Sequence, residues 1–169
     1  DNQNTLWVGT INTISIFDKT SEKFIHFNLK EHISTTKNIL PHEIVQDSLD
    51  NLWIGTSYGI FQISPNNVKN FDEPQPNQID KNSFSLTHYF TNPEKIKDPS
   101  NVVLQLLIDD KNQLWTGTEN GLYIAKLSAA PQKSLNNKLL FEPIKEQSQA
   151  LLQNAGRRDI VQDSRGIIW

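Results

Sequence analysis

The four tryptophans of this chain all lie in copies of one short motif, centred on Trp7, Trp53, Trp115 and Trp169. Every copy has an aspartate six residues before the tryptophan and a leucine or isoleucine directly before it, and the first three copies continue with Gly-Thr. The aspartates are Asp1, Asp47, Asp109 and Asp163. Four matches at one spacing indicate an internal repeat, which limits the chain to architectures in which one supersecondary unit recurs.

Consecutive tryptophans lie 46, 62 and 54 residues apart. These spacings are close to the roughly 40 to 50 residues of a propeller blade and too variable for a solenoid of identical turns. Alternating apolar residues and turn residues predict four short strands in each unit, named A, B, C and D in chain order. In the second unit they fall at residues 44–47, 52–56, 60–63 and 85–90.

The predicted fold class is therefore all-β, built from β-propeller blades of four antiparallel strands. We assign residues 1–41 to a partial blade with strands B to D, 42–90 and 102–144 to two blades, and 157–169 to the start of the next one. Because a closed propeller needs at least about four blades, we expect 1–169 to be an incomplete excerpt of about three repeat periods, forming an open arc. The remaining blades of the parent chain would then be its partners.

The repeated aspartates open the turn between strands A and B, where Asp and a following Asn or Gly bond their own backbone and tolerate left-handed angles. We interpret Asp47, Asp109 and Asp163 as turn formers rather than calcium ligands, because the D-x-[DN]-x-[DN]-G spacing is missing from every copy. The tryptophans are interpreted as core residues between neighbouring sheets rather than as a platform for sugars. Polar insertions at 64–82 and 128–137 are predicted as surface loops between strands C and D.

Composition excludes several functions. The 16 Lys and Arg residues against 19 Asp and Glu residues give a net charge of −3, so no basic surface for nucleic acid is expected. With no cysteine there is no disulfide, thiol nucleophile or thiolate metal site. The longest apolar run is far shorter than the roughly 20 residues needed to cross a bilayer. Membrane contact is expected only through segments outside this chain.

The motif residues resemble the two-component regulator propeller repeat family. The resemblance lies in the aspartate, in Leu-Trp-Ile-Gly-Thr at 52–56, and in Gly-Ile-Phe at 59–61 and Gly-Leu-Tyr at 121–123. It implies blades from the periplasmic or extracytoplasmic sensor region of a bacterial hybrid two-component receptor that responds to glycans. Two departures are Thr13, which stands where Gly59 and Gly121 stand, and Pro143 in a weak third D strand, which fits an outer edge.

Propeller geometry places the B-to-C turns and the D-to-A connections on one face, where ligands most often bind near the axis. Tyr, Asn, Glu, His and Arg side chains there suit sugar hydroxyls and carboxylates. The predicted ligand-binding residues on this face are Tyr58, Asn120, Glu119, His42 and Arg158.

No pattern predicts a metal, a cofactor or a catalytic site. His26 and His88 share a register, but equivalent positions on outer strands of neighbouring blades would lie far apart, so both are interpreted as surface histidines. The common nucleophile, phosphate-binding and zinc-binding motifs are missing. We therefore expect no enzymatic activity in this segment.

Two function classes remain. The favoured hypothesis is a ligand-sensing propeller segment that binds an oligosaccharide and signals, through the geometry of a homodimer, to a kinase elsewhere in the polypeptide. The alternative is a structural or protein-interaction propeller scaffold without a small-molecule ligand. A propeller lyase, with its site on blades outside this segment, is a less favoured third hypothesis.

Overall fold

A computed structural model describes residues 5–65, 83–127, 139–144 and 159–169. Consecutive strands pair antiparallel into three sheets that follow one another along the chain. The first sheet contains β1 (Trp7–Thr10), β2 (Thr13–Asp18) and β3 (Lys23–Asn28). The second contains β4 (Pro41–Gln46), β5 (Leu52–Thr56), β6 (Gly59–Pro65) and β7 (Phe84–Tyr89). The third contains β8 (Val103–Ile108), β9 (Gln113–Thr118), β10 (Gly121–Lys126) and β11 (Glu142–Pro143).

This arrangement confirms the predicted all-β fold of four-stranded antiparallel blades. Strands A to D of the second unit are β4 to β7, and the three sheets do not close into a ring. Pro143 lies in β11, which pairs with β10 and is the last strand of its sheet among the described residues, a position where a missing N–H costs no ladder bond. A single bridge between Gln162 and Ile168 begins the fourth unit.

The hydrophobic core lies between the sheets. Because side chains alternate along a strand, β5 points Leu52 and Ile54 towards the first sheet and Trp53 towards the third. The first core joins the first two sheets through Ile14, Ile16, Phe27, Leu29, Ile39, Leu52, Ile54, Phe61 and Ile63. The second core joins the second and third sheets through Trp53, Ile60, Val103, Leu106 and Leu114.

The glycine of the repeat motif permits this stacking. A Cβ atom added at Gly55 would lie 2.8 Å from Cγ1 of Val103, on strand A of the next sheet. A Cβ at Gly9 would lie 2.9 Å from Cβ of Pro41, and one at Gly117 would lie 3.2 Å from Cδ1 of Ile160. Each strand B therefore lets the following strand A approach its backbone closely, a contact that any side chain would disturb.

Helical structure in the described ranges consists of two short 3-10 helices, Leu29–His32 and Pro99–Asn101. None of the described helices is long and apolar enough to span a membrane. Apart from Ser64 and Pro65, the predicted loop at 64–82 lies outside the described residues, and the loop at 128–137 does so entirely.

Candidate functional site

In the second, third and fourth repeats the aspartate and the tryptophan are hydrogen-bonded to each other. The indole Nε1 donates to the carboxylate Oδ2 over 2.9 Å in Trp53–Asp47, 2.7 Å in Trp115–Asp109 and 3.2 Å in Trp169–Asp163. Sequence reasoning assigned the aspartates to turns and the tryptophans to the core without this bond. The constant six-residue spacing was the signal that could have revealed it.

The same carboxylate also shapes the A-to-B turn. Oδ1 of Asp47 accepts bonds from the backbone N–H groups of Leu49 and Asn51, both at 2.9 Å. Asp50, not Asn51, takes the left-handed conformation in this turn, with φ 62°. Through these bonds Asp47 holds the turn of its own repeat.

In the fourth unit the aspartate is held further by an arginine. Hydrogen bonds from the Arg165 side chain, foremost, and from the backbone of Ile167 lower the pKa of Asp163 to about 2. The Arg165 Nη2 to Asp163 Oδ2 distance is 2.8 Å. The carboxylate is therefore ionised, and able to accept the indole hydrogen bond, through the physiological pH range.

The B-to-C turns of the second and third sheets have the same hydrogen-bonded geometry. In each, two turn residues lie between the last residue of strand B and the first residue of strand C, which are paired with each other. The Thr56 hydroxyl donates to the carbonyl of Gly59 over 2.9 Å and accepts from the N–H of Tyr58 over 3.0 Å. Thr118 makes the same two bonds with Gly121 and Asn120 in the third sheet. In the first sheet, where Thr13 replaces the glycine, the positive φ moves to Asn12, at 63°.

Each B-to-C turn is bonded to a D-to-A connection. The N–H groups of Asn12, Ser57 and Glu119 donate to the carbonyls of Ile39, Leu40 and Val102 over 2.8, 3.0 and 3.1 Å. Residues 11–12, 57–58 and 119–120, together with the connections at 29–40 and 90–102, therefore form one face, which we call the turn face.

The connection at 90–102 is fixed by one buried side chain. Oδ1 of Asn101 accepts from the Thr91 hydroxyl and from the N–H of Asn92, and its Nδ2 donates to the carbonyls of Asn92 and Lys95. Thr91 also donates to the carbonyl of Ser100. This clip was not predicted, because a single Asn in a polar segment has no distinguishing pattern.

The predicted ligand-binding residues make their described contacts with other residues and not with one another. Tyr58 is half-buried, and its ring stacks on His88 at 6.0 Å and meets Phe90 edge-on at 5.4 Å. Nδ1 of the exposed His42 lies 2.7 Å from the carbonyl of Val103, so it donates a bond that joins neighbouring A strands.

The other predicted ligand-binding residues lie further along the turn face or outside the described ranges. Glu119 and Asn120 are exposed, and Asn120 contacts Asp98, whose pKa is lowered mainly by Ser100. Arg158 lies outside the described residues. The turn face thus presents a carboxylate and an amide on one turn and a half-buried phenol on another.

The two histidines differ, and the prediction of a surface histidine is wrong for His88. His26 is exposed, with Nδ1 2.7 Å from the Ser15 hydroxyl. His88 is half-buried, since Phe61 stands opposite it where Ser15 stands opposite His26. In the described ranges, no group of three or more His, Asp or Glu side chains could hold a metal ion.

No family model matches the chain, and no curated protein matches it significantly. Among solved structures, PorZ, a surface component of the type-IX secretion system of Porphyromonas gingivalis, is similar over 100% of this chain and 23% of its own, with a TM-score of 0.62 and 15% identity. Two structures of the extracellular domain of BT4673 from B. thetaiotaomicron, described as a one-component system in one and a hybrid two-component system in the other, are also neighbours.

The two BT4673 matches cover 98% of this chain and 25% and 24% of theirs, with 20% and 21% identity and a TM-score of 0.38 in both. The chain therefore spans about a quarter of the length of these neighbours. At 15% identity the likeness to PorZ concerns the fold alone, and it shows that this chain shares its fold with a segment of that protein.

Proposed function

We propose that this chain is part of an extracellular ligand-sensing propeller of a bacterial receptor, and that its turn face binds an oligosaccharide. The observation that carries the proposal is that the B-to-C turns have the same hydrogen-bonded backbone but different side chains at their tips. Thr56 and Thr118 hold the same two-residue turn, yet the turns present Ser57-Tyr58 in one sheet and Glu119-Asn120 in the next. Variable side chains on a rigid scaffold are typical of binding surfaces.

The chemistry of the tips suits a carbohydrate. Glu119 and Asn120 are exposed and supply acceptors and donors for hydroxyl groups. Tyr58 adds an aromatic ring with a polar end, a combination suited to the apolar face and the hydroxyl rim of a sugar. The fold likeness to PorZ and the resemblance of the motif to a sensor repeat support an extracytoplasmic place for such a surface.

The signalling part of the proposal lies outside this segment. Remaining blades of a parent chain would complete the propeller, a homodimer would transmit the change, and a kinase elsewhere would respond. The segment itself is proposed to be non-enzymatic, because its sequence carries none of the common nucleophile, phosphate-binding or zinc-binding motifs.

Thermal melting of the longer protein against a panel of oligosaccharides tests this proposal. A ligand at 100 times its dissociation constant adds about 2.7 kcal/mol to the folded state. One glycan class should raise the melting temperature, and Glu119→Gln with Asn120→Ala should reduce that rise. Glu142→Gln is the matched control, since Glu142 is also an exposed glutamate but lies on the edge strand β11.

A flat panel at millimolar concentrations would contradict ligand sensing and favour the scaffold alternative. One observation favours that alternative specifically. His42 and Tyr58 already have internal partners, in Val103 and in His88 and Phe90, so both side chains stabilise the fold whether or not a ligand exists.

A further inference from the structure

We propose that His88 is a proton-sensitive latch on the B-to-C turn of the second sheet, holding Tyr58 in place on the turn face at neutral pH and releasing it in acid. The latch is a property of the fold. Its consequence for ligand binding rests on the function proposed above.

Aromatic rings enclose the imidazole. The ring centroid of His88 lies 4.5 Å from that of Phe61 and 4.5 Å from that of Phe90. Tyr58 stacks on it at 6.0 Å with an interplanar angle of 9°. Phe61 belongs to the first hydrophobic core and is fully buried, so the imidazole rests on the core on one side and on the turn on the other.

One hydrogen bond ties the imidazole to the turn backbone. Nε2 of His88 lies 2.6 Å from the carbonyl oxygen of Tyr58. Because a carbonyl only accepts, Nε2 carries the proton, and Nδ1 of the neutral ring carries none. The position of Tyr58 therefore depends directly on this ring.

The turn packs closely against the ring. Gly59 has φ 88°, and a Cβ atom added there would collide with the carbonyl oxygen of Tyr89 and lie 2.8 Å from Nε2 of His88. A displacement of the imidazole that breaks the bond from Nε2 therefore removes the hydrogen bond that holds the Tyr58 carbonyl.

A second proton on the ring would place a full charge in these surroundings. Burial lowers the pKa of His88, and the hydrogen bond with the Tyr58 carbonyl opposes this effect. The titratable and charged groups on the described elements that pack against His88, and on its own strand, are Tyr58, Lys30, Glu31, His32, Tyr89 and, on the connection that begins at Phe90, Glu94, Lys95, Lys97 and Asp98. Burial and the carbonyl are the causes of the shift, so these groups do not set it.

The sign of the pH effect follows from the lowered pKa. An open or unfolded histidine binds a proton near pH 6.5, whereas the enclosed ring does so only at lower pH. The latch is therefore at full strength above about pH 6.5, and it weakens as the pH falls below that value, because acid favours the open form that binds more protons.

His26 is the internal control. It stands at the same register in the first sheet, opposite Ser15 rather than Phe61, and it is exposed. The first sheet has Asn12 at the turn position of Tyr58. A histidine at this register therefore becomes a latch only where aromatic residues enclose it.

The test is an NMR titration of the histidine rings in the whole protein from pH 7.5 to 4.5, combined with amide exchange at Ser57 and Tyr58 corrected for intrinsic rates. Both amides are bonded, to Leu40 and Thr56. We expect His88 to titrate below the ordinary histidine value of about 6.5, and exchange at both amides to rise several-fold through the His88 step.

The variant His88→Gln retains an N–H donor without a titrating group and should make this exchange independent of pH, whereas His26→Gln should not. If His88 titrates at or above the ordinary histidine value, or if exchange rises equally in His88→Gln, the proposed latch is wrong. These readouts need no ligand, so they fail or succeed independently of the oligosaccharide panel. If His88→Gln does not fold, the wild-type titration still tests the latch, because it shows whether exchange at Ser57 and Tyr58 rises together with protonation of His88.

Discussion

The second and third sheets carry the same motif, but their B-to-C turns have different surroundings. A Cβ atom at Gly59 would collide with the Tyr89 carbonyl and with His88, whereas one at Gly121 would have no heavy atom of the described residues within 4 Å. The difference comes from strand D, because Pro143 in β11 stands opposite Tyr123 where His88 in β7 stands opposite Phe61. The motif thus builds the frame of a blade, and strand D decides whether the turn is enclosed.

The largest expected difference concerns the two tryptophans. Trp53 is 4% exposed in the second core, whereas Trp115 is only half-buried. We expect Trp53→Ala to lower the free energy of unfolding by about 4 kcal/mol, and Trp115→Ala to lower it clearly less. Urea unfolding of both variants measures this difference. Equal losses of unfolding free energy would mean that the packing of the third sheet over Trp53 does not add to stability.

Replacing the repeat aspartates should lower the free energy of unfolding in the same order, more in the second sheet than in the third, but by less than replacing the tryptophans. Asp47 accepts bonds from Leu49, Asn51 and Trp53, so Asp47→Ala leaves several donors without partners, two of them on the half-buried Asn51. We expect a loss of about 3 kcal/mol in the free energy of unfolding. Asp109→Ala should cost less because Trp115 is more exposed, and Asp47→Asn should recover part of the loss. If Asp47→Ala were neutral, the Asp–Trp bond would not stabilise the repeat.

The turn glycines provide the most specific comparison. Both have positive φ, 88° at Gly59 and 129° at Gly121, so alanine is strained at either position by about 1 kcal/mol. Gly59→Ala should cost roughly 1 to 3 kcal/mol more, because its Cβ also meets backbone and a packed ring. The difference in melting temperature between the two variants measures this. A lower melting temperature for Gly121→Ala than for Gly59→Ala would contradict the finding that the turn at Gly59 is the more enclosed one.

The smallest effect is expected inside the third sheet, and it is stabilising. Thr116 is fully buried, and its hydroxyl has no hydrogen-bond partner within the described part of the chain, at the strand position where the second sheet has Ile54. Thr116→Val keeps the shape and removes the unpaired hydroxyl, so we expect a gain of up to about 1 kcal/mol in the free energy of unfolding. A loss of stability, measured by the same urea unfolding, would mean that the hydroxyl has a partner.

The repeat and the four-stranded blades were predictable from sequence because they depend on local signals. The spacing from Asp47 to Trp53 lies within the β4–β5 hairpin, and the turn residues before Gly59 lie within the β5–β6 hairpin. The His88 cluster was not predictable, because it joins residues 30 positions apart across two strands and a turn. Its only sequence signal was an aromatic excess around 58–61 and 88–90 compared with the first unit.

The candidate site was predictable only in outline. The pairing of B-to-C turns with D-to-A connections followed from blade geometry, and the structure places Ser57 and Glu119 accordingly. The bond from His42 to Val103 was not predictable, because it depends on the distance between two A strands. Ligand binding by Tyr58 and Asn120 stays a prediction.

Hydrogen–deuterium exchange of the whole protein, with and without each oligosaccharide of the panel, shows whether the turn face is the surface that binds the ligand. If the turn face binds the ligand, one glycan class will protect residues 57–60 and 119–121 while the A-to-B turns at 47–51 and 109–113 exchange as before. Protection confined to the A-to-B turns, or no protection by any member of the panel, would contradict the account.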